Sequence, residues 1–555
     1  MMTLETFFEK FALFADAPDA VAKMRELVLQ LAVQGKLVDQ KKDDGSAAHL
    51  LAAIELERSA RKSTHRTPEA PSLCDGDDQP FEIPENWTWT KLGNIALQIQ
   101  YGYTATADPL ATAIRMLRIT DIQNDRVNWP SVPGCQIHED EAEKYLLSAN
   151  DILIARTGGT IGKSFIVPDA PVKSVFASYL IRVTPPRSMD ARYLKIFLGC
   201  PFYWMQLREM SAGTGQPNVN GQALGRLEIP LPPLAEQKRI VAKVDELMAL
   251  CDRLALQQEE RETRHAALAR ASLARFAEAP TPANLQWIFH QSYAIPPAAL
   301  RKAILTLAVQ GKLVPQDPND EPAEEFLELI AQRLEKSKGK RSTNNGTAIA
   351  DEAEPFDLPP GWAWSRFHDL GEFGRGKSKH RPRNDRSLFI GGNHRLVQTG
   401  DVARAKGTIK THTGLYNDVG LEQSKMWPEG TLCITIAANI ADSGILGFDA
   451  CFPDSVVGFI PAPPIPSVRY FEYFIRTAKE HLEQFAPSTA QKNINLGILE
   501  QVWIPIPPLA EQRRIVAKVD ELMALVDALE TQLDTARTTA TALLAAALAE
   551  LTNQN

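Results

Sequence analysis

PPLAEQKRIVAKVDELMAL, residues 232–250, returns as PPLAEQRRIVAKVDELMAL at residues 507–525, where Arg513 stands for Lys238. A second string, LAVQGKLV at 31–38, returns at 307–314. Both offsets are close to half of the 555 residues, so the sequence is a tandem duplication, a feature that takes priority over any local reading. The near-identity is confined to the flanks of each copy, while the middles have drifted far apart. A chain that keeps one frame and varies two inserts suggests two heads held at a fixed separation.

Each closing string begins with a proline pair, 232–233 and 507–508, which ends a strand (227–231, 502–506) and presets a helix start. Apolar residues then step 4-3-4-3 through Ile240, Val244, Leu247, Cys251 and Leu254. In the second copy they run through Ile515, Val519, Leu522, Val526, Leu529, Leu533, Ala536, Ala540 and Leu543. A heptad seam of this kind wants a partner helix, and the other copy, packed antiparallel, is the nearest one. The first seam turns polar at Gln258, Arg261 and His265, where His265 reads as a partly exposed seam residue rather than a ligand. About 40 helical residues span roughly 60 Å. The expectation is a rod with an inserted domain at each end, long enough to address successive turns of B-DNA about 34 Å apart.

The opening of each copy is equally regular. A helix (23–34, 301–310) is stopped by Gly35 or Gly311. An amphipathic segment follows from His49 and from Glu324, then a polar linker at 64–79 and 337–354. FEIPENWTW at 81–89 matches FDLPPGWAW at 356–364, and Trp87, Trp89, Trp362 and Trp364 read as core anchors rather than stacking groups for a ligand.

Bulk properties are those of soluble globular protein, 44% apolar and 23% charged, in a chain long enough for several domains. The N-terminus has no basic flank or small-residue cleavage site, and no uncharged apolar run approaches the roughly 20 residues that span a bilayer. Six cysteines without CxxC spacing argue against zinc and against a disulfide framework, and fit a reducing cytoplasm. A net charge of −8 argues mildly against nucleic acid but does not say where charge sits.

The inserts, 82–230 and 357–505, read as mixed strands and turns. Apolar runs at 152–155, 165–167 and 180–183 in the first, and at 432–437 and 456–460 in the second, are its strand candidates. Asp121 lines up with Asp401, and Gln216, Asn218 and Asn220 line up with Gln491, Asn493 and Asn495, beside Lys492. The second insert carries the strongest charge signal. GRGKSKHRPRNDR packs Arg375, Lys377, Lys379, Arg381, Arg383 and Arg386 against one acid, Asp385, and encloses His380. Asn393, His394, Arg395, Gln398 and Thr399 follow. These are the side chains whose donors match base edges, and Lys and Arg also bind phosphates. The first insert is weaker, with 14 basic residues against 14 acidic ones. Its candidates are Tyr101, Tyr103 and Thr104, then Arg118 and Thr120, then Arg156, Thr157 and Lys163.

GEFGRGKS at 371–378 matches the phosphate-loop pattern letter for letter. That mechanism needs a buried strand before it and a helix starting at the Lys. The preceding SRFHDL is half polar, and Pro382 follows, so the match is rejected. GGTIGKS at Gly158 is one residue too short between its glycines. No adenine-methyltransferase loop, dinucleotide fingerprint, HExxH or carboxylate cluster appears. The sequence offers no catalytic residue and no metal site.

These motifs, with TDI and GDV, DILIARTGGTIGK and the doubled PLAEQ helix, resemble the specificity subunit of type I restriction-modification systems over essentially the whole chain. The resemblance implies an α+β protein with two mixed target-recognition domains. Two long conserved helices forming an antiparallel coiled coil join them in a pseudo-two-fold tandem repeat. It implies the division 1–80, 81–230, 231–355, 356–505 and 506–555. It further implies that each recognition domain reads half of a split, asymmetric site in double-stranded DNA, with the helices as ruler. Two methyltransferase subunits would bring S-adenosylmethionine, and restriction subunits would bring ATP and Mg, this chain binding no cofactor itself. The competing readings are an adaptor with two β-rich protein-binding modules, and a phosphate-loop NTPase.

Overall fold

In the computed structural model, each LAVQGK string ends a helix and seats the segment that follows. The structure describes residues 3–62, 80–110, 113–168, 173–211, 219–290, 293–337, 356–380, 382–437, 440–484, 494 and 496–553. Helices Ala20–Val33 and Pro297–Val309 bury one face each. Gly35 and Gly311 follow with φ of +71° and +67°. The amides of Lys36 and Lys312 reach back to Leu31 and Leu307 carbonyls at 3.0 and 2.9 Å. That closure needs a left-handed residue, which glycine supplies without strain. The missing Cβ has a second use. Built on Gly35 it would strike the Pro84 ring, and on Gly311 the Pro359 ring, so the helix cap is also the seat of the Pro-x-x-Trp segment.

The chain forms two units, Met1–Glu260 with Ala536–Asn555, and Arg261–Thr535. Within each, the insert enters and leaves on a two-stranded antiparallel ribbon. Thr88–Lys91 pairs with Glu228–Leu231, and Ala363–Arg366 pairs with Trp503–Ile506 in the same register. Adjacent ends explain why the inserts diverge freely: whatever lies between them, the frame closes in one way.

The PLAEQ string is a latch. Glu236, wholly buried, accepts Trp87 Nε1 at 2.9 Å and Gln40 Nε2 at 2.6 Å. Glu511 accepts Trp362 Nε1 at 3.0 Å and Gln316 Nε2 at 3.1 Å. Gln237 and Gln512 donate to the Pro232 and Pro507 carbonyls at 2.8 and 3.0 Å. Arg239 grips Asp44, and Arg514 grips Asp320, each with a 2.6 Å contact. Trp87 and Trp362 are the core anchors that the sequence indicates, at 5% and 6% exposure.

Helices Leu234–Glu278 and Leu509–Asn553 have 45 residues each. In the first unit, Ile240, Val244, Leu247 and Cys251 share a core with Ala540, Leu544, Ala547 and Leu551. In the second, Ala269 and Phe276 share a core with Ile515, Val519, Leu522 and Val526. Start meets end in both units, the antiparallel arrangement expected from the seam. Leu254 and Leu529 lie at the edge of these cores, partly buried. The later seam needs one correction. Ala536 and Leu543 are exposed, and Leu544, Ala547 and Leu551 face inward instead. A straight helix drifts about 20° per heptad, so a strict seven-residue repeat loses its phase after a few turns.

The first insert holds a four-stranded antiparallel sheet in the order Gln98–Tyr101, Leu180–Thr184, Ile152–Ala155, Ser164–Ile166. The second has a five-stranded sheet led by Gly371–Arg375, Val456–Pro461 and Leu432–Thr435, and a four-stranded one around His394–Leu396. Among the described residues, no helix is long and apolar enough to cross a membrane.

Candidate nucleic-acid interface

In each insert a sheet strand, Gln98–Tyr101 or Gly371–Arg375, is followed by a glycine where no side chain fits. A Cβ on Gly102 would overlap the carbonyl oxygens of Phe176 and Ala177, and one on Gly376 those of Phe452 and Pro453. The Gly102 amide donates to Leu180 O at 3.1 Å, and Gly376 to Val456 O at 2.9 Å. The two inserts thus share a backbone here, which equates Tyr101 with Arg375 and Tyr103 with Lys377.

In the first insert this geometry gathers three of the expected residues. The Arg156 guanidinium lies 4.7 Å from the centre of the Tyr101 ring. Tyr101 Oη accepts the Gly221 amide at 2.9 Å, beside exposed Asn220. Asn220 Oδ1 is occupied in capping Ala223 N at 2.7 Å. Thr157 and exposed Lys163 belong to the same hairpin as Arg156, closed by the Ala155 amide on Lys163 O at 2.9 Å. Thr104 and Thr120 are exposed. Tyr103 turns inward, its ring 5.3 Å from that of Tyr145 and its hydroxyl 3.3 Å from Glu141. Arg118 is held by both oxygens of Asp121, at 3.0 and 2.7 Å. Gln216 and Asn218 lie outside the described residues.

In the second insert the basic loop is tied down at intervals. Ser424 Oγ donates to Lys377 O at 2.9 Å, and the His380 amide to Gln423 at 3.1 Å. His380 Nε2 meets Asp385 at 2.8 Å. The Ser387 amide, and then that imidazole, hold the Asp385 carboxyl down to about 2. Arg383 contacts both oxygens of Asp454 at 2.7 Å. Arg375, Lys377, Lys379 and Arg386 remain exposed, without an ion pair among the described residues. Of the following candidates, Asn393, Arg395 and Gln398 are exposed, His394 pairs with Asp418 at 2.8 Å, and Thr399 is half-buried. Arg395 stacks 4.7 Å over Phe448. Asp401 caps the Gln398 amide as Asp121 caps that of Arg118, at 2.9 and 2.8 Å. Arg381, Gln491, Lys492, Asn493 and Asn495 lie outside the described residues. The glycines of the rejected phosphate-loop match lie on the strand Gly371–Arg375 and just after it, and residues 376–379 are irregular rather than helical.

One exposed aromatic escaped the sequence reading: Tyr179, 62% exposed, in the turn that leads into strand Leu180–Thr184. No group of three His, Cys, Asp or Glu among the described residues is placed to hold a metal ion.

The second unit also holds a cavity of about 440 Å³ bordered by Glu472, Arg469, Arg476, Tyr473 and Asp520. Glu472 is fully buried and contacts Arg476 at 2.5 Å. Burial outweighs that cation and pushes the carboxyl up to about 7. Its folded value lies above the ordinary 4.5, so its contribution to stability is complete below about 4.5 and is lost as pH rises to about 7. Glu472→Gln should remove up to about 3 kcal/mol of pH dependence between pH 5 and 8. A wild-type-minus-variant difference equal at both pH values would refute this.

Residues 84–261 and 359–536 each match the family described as type I restriction modification DNA specificity domain. The chain is 27% identical to the EcoAI specificity subunit of Escherichia coli, over 94% of this chain and 92% of that one. It is 26% identical to the EcoEI specificity subunit of Escherichia coli, with the same coverage. A solved HsdS subunit from Thermoanaerobacter tengcongensis is 20% identical, with a TM-score of 0.45 over 84% of this chain and 98% of that one. The two family matches fall on the two copies of the repeat and together cover more than half of the sequence, so the chain belongs to the type I restriction-modification DNA specificity family.

Proposed function

We propose that residues 81–230 and 356–505 each read one half of a bipartite, asymmetric site in double-stranded DNA. The chain is the recognition subunit of a type I restriction-modification complex and not its catalyst, in keeping with its relatives. The observation that carries the reading is one backbone with different chemistry at matched positions. Tyr101 and Arg156 in one insert answer to Arg375 and Ile436 in the other, which suits two different half-sites. The four exposed cations of the second insert supply phosphate contacts. The two 45-residue helices act as the ruler and as the docking surface for two methyltransferase subunits, with restriction subunits joining them. S-adenosylmethionine, ATP and Mg belong to those partners, and the assembly works in the cytoplasm.

The test is methylation sequencing of host DNA with and without this chain, alongside co-purification with the neighbouring methyltransferase. The expected result is one split motif whose methylation disappears when the chain is deleted. Co-purification without any change in methylation would favour the adaptor reading.

A further inference from the structure

We propose that Tyr179 is a specificity-determining residue that lays its ring against a base of the first half-site, an inference resting on the DNA-reading function above. The turn that carries it is fixed on every side. Leu180 N donates to Ala177 O at 2.9 Å, Ser178 N to Tyr103 O at 2.9 Å, and Arg156 N to the Tyr179 carbonyl at 3.0 Å. The Gly102 amide holds Leu180 O from below. The backbone is therefore pinned to two other segments, both from the candidate interface. Yet the ring is 62% exposed and makes no aromatic contact or side-chain hydrogen bond among the described residues.

Its surroundings identify the occupant. Tyr179 lies two residues before Ile181, the strand partner of Tyr101, which is itself 40% exposed under the Arg156 guanidinium. Lys163 stands on the Arg156 hairpin. Rings beside cations suit duplex DNA, whose base edges offer apolar groups such as the thymine methyl and whose phosphates pair with the cations. They do not suit an apolar protein surface, which would leave those charges desolvated and unpaired.

The second unit supplies the contrast. There the same turn is closed by Val456 N on Pro453 O at 3.0 Å, and Ser455 O accepts the Ile436 amide at 3.0 Å as Tyr179 O accepts that of Arg156. Ser455 thus occupies the place of Tyr179, and cations occupy the places of Tyr101 and Tyr103. The first unit exposes the rings of Tyr101 and Tyr179 where the second has Arg375 and Ser455, so its grip on DNA depends more on contact with bases.

The test uses the assembled methyltransferase and the motif returned by methylation sequencing. Tyr179→Ser installs the residue of the other copy at an exposed position. It should weaken binding to the cognate site about 5- to 150-fold, the worth of one correctly read base position. Tyr179→Phe should stay within about 3-fold of wild type, because the apolar ring makes the contact. Degenerate bases should show the Ser variant relaxed at one position of the first half-site and unchanged in the second. Unchanged affinity and selectivity of Tyr179→Ser would overturn the inference. So would equal losses in the Ser and Phe variants, which would assign the contact to the hydroxyl. A wild-type complex without preference for any DNA sequence would instead remove the reading function itself, and this inference with it.

Discussion

Reversing Lys377, Lys379 and Arg386 together to glutamate is expected to weaken DNA binding by the assembled methyltransferase at least about 500-fold near 0.1 M salt. Each phosphate contact releases about 0.9 counterion, worth roughly 8-fold at that salt, and three such contacts multiply. The three side chains are exposed and lack ion pairs among the described residues, on a loop whose backbone is pinned at Lys377 and His380. A charge on a pinned loop loses little entropy on binding, so its phosphate contact is realised nearly in full. The triple variant should also lower the slope of log affinity against log salt by about 3, for every DNA sequence alike. Arg383 belongs to the same basic run but is held by Asp454. Arg383→Ala should therefore cost much less than removal of a free cation. Affinity and salt slope both unchanged in the triple variant would take this loop out of the interface. A loss confined to one sequence would make these residues base readers rather than phosphate clamps.

The contrast between Arg383 and its neighbours shows where sequence reading stops. The frame was legible because each repeated word is a local device: the glycine that ends a helix, the proline pair that starts one, the apolar steps of a seam. Duplication displays each device twice and so marks it as structural. The inserts behave differently. Arg118 and Arg383 read alike as basic residues available to DNA, yet Asp121 and Asp454 hold them, and Asp454 lies 71 residues away from Arg383 in sequence. Which cation is free depends on such remote pairing. Tyr103 and Tyr101 stand two apart on one strand end, but only Tyr101 faces outward. Tyr179 gave no signal at all, because a lone aromatic in a tight turn has no periodicity. Along the second helix Ile515, Val519, Leu522, Val526 and Ala540 are buried while Ala536 and Leu543 are exposed, because accumulated helical drift rather than local composition decides which residue faces inward.

Glu511→Ala is expected to loosen the junction between the second insert and its helix by about 1–3 kcal/mol. The Glu511 carboxylate is 1% exposed and accepts Trp362 Nε1 and Gln316 Nε2. Removing it leaves the buried Trp362 Nε1 without an acceptor, at about 1–3 kcal/mol, whereas Gln316 is exposed and keeps its bond to Gly311 O. Glu236→Ala should do the same in the first unit, since Trp87 and Gln40 repeat the geometry. Hydrogen exchange on the full chain reads the effect locally, as faster exchange in the peptide containing Trp362 for one variant and Trp87 for the other. Burial raises the pKa of both glutamates, against the opposing pull of their tryptophan and glutamine donors. The protonated form is thus favoured by folding, so each glutamate's pH-linked contribution is complete below its unfolded value and is lost as pH rises through the folded one. Glu511→Gln retains one acceptor and cannot titrate, so the stability gap between wild type and this variant should narrow from pH 5 to pH 8. An alanine variant whose Trp362 peptide exchanges at the wild-type rate would show that the carboxylate is a bystander. The junction would then rest on the ring packing of Trp362 against Tyr470 and on the Tyr470 hydroxyl bonded to Pro505 O at 2.6 Å.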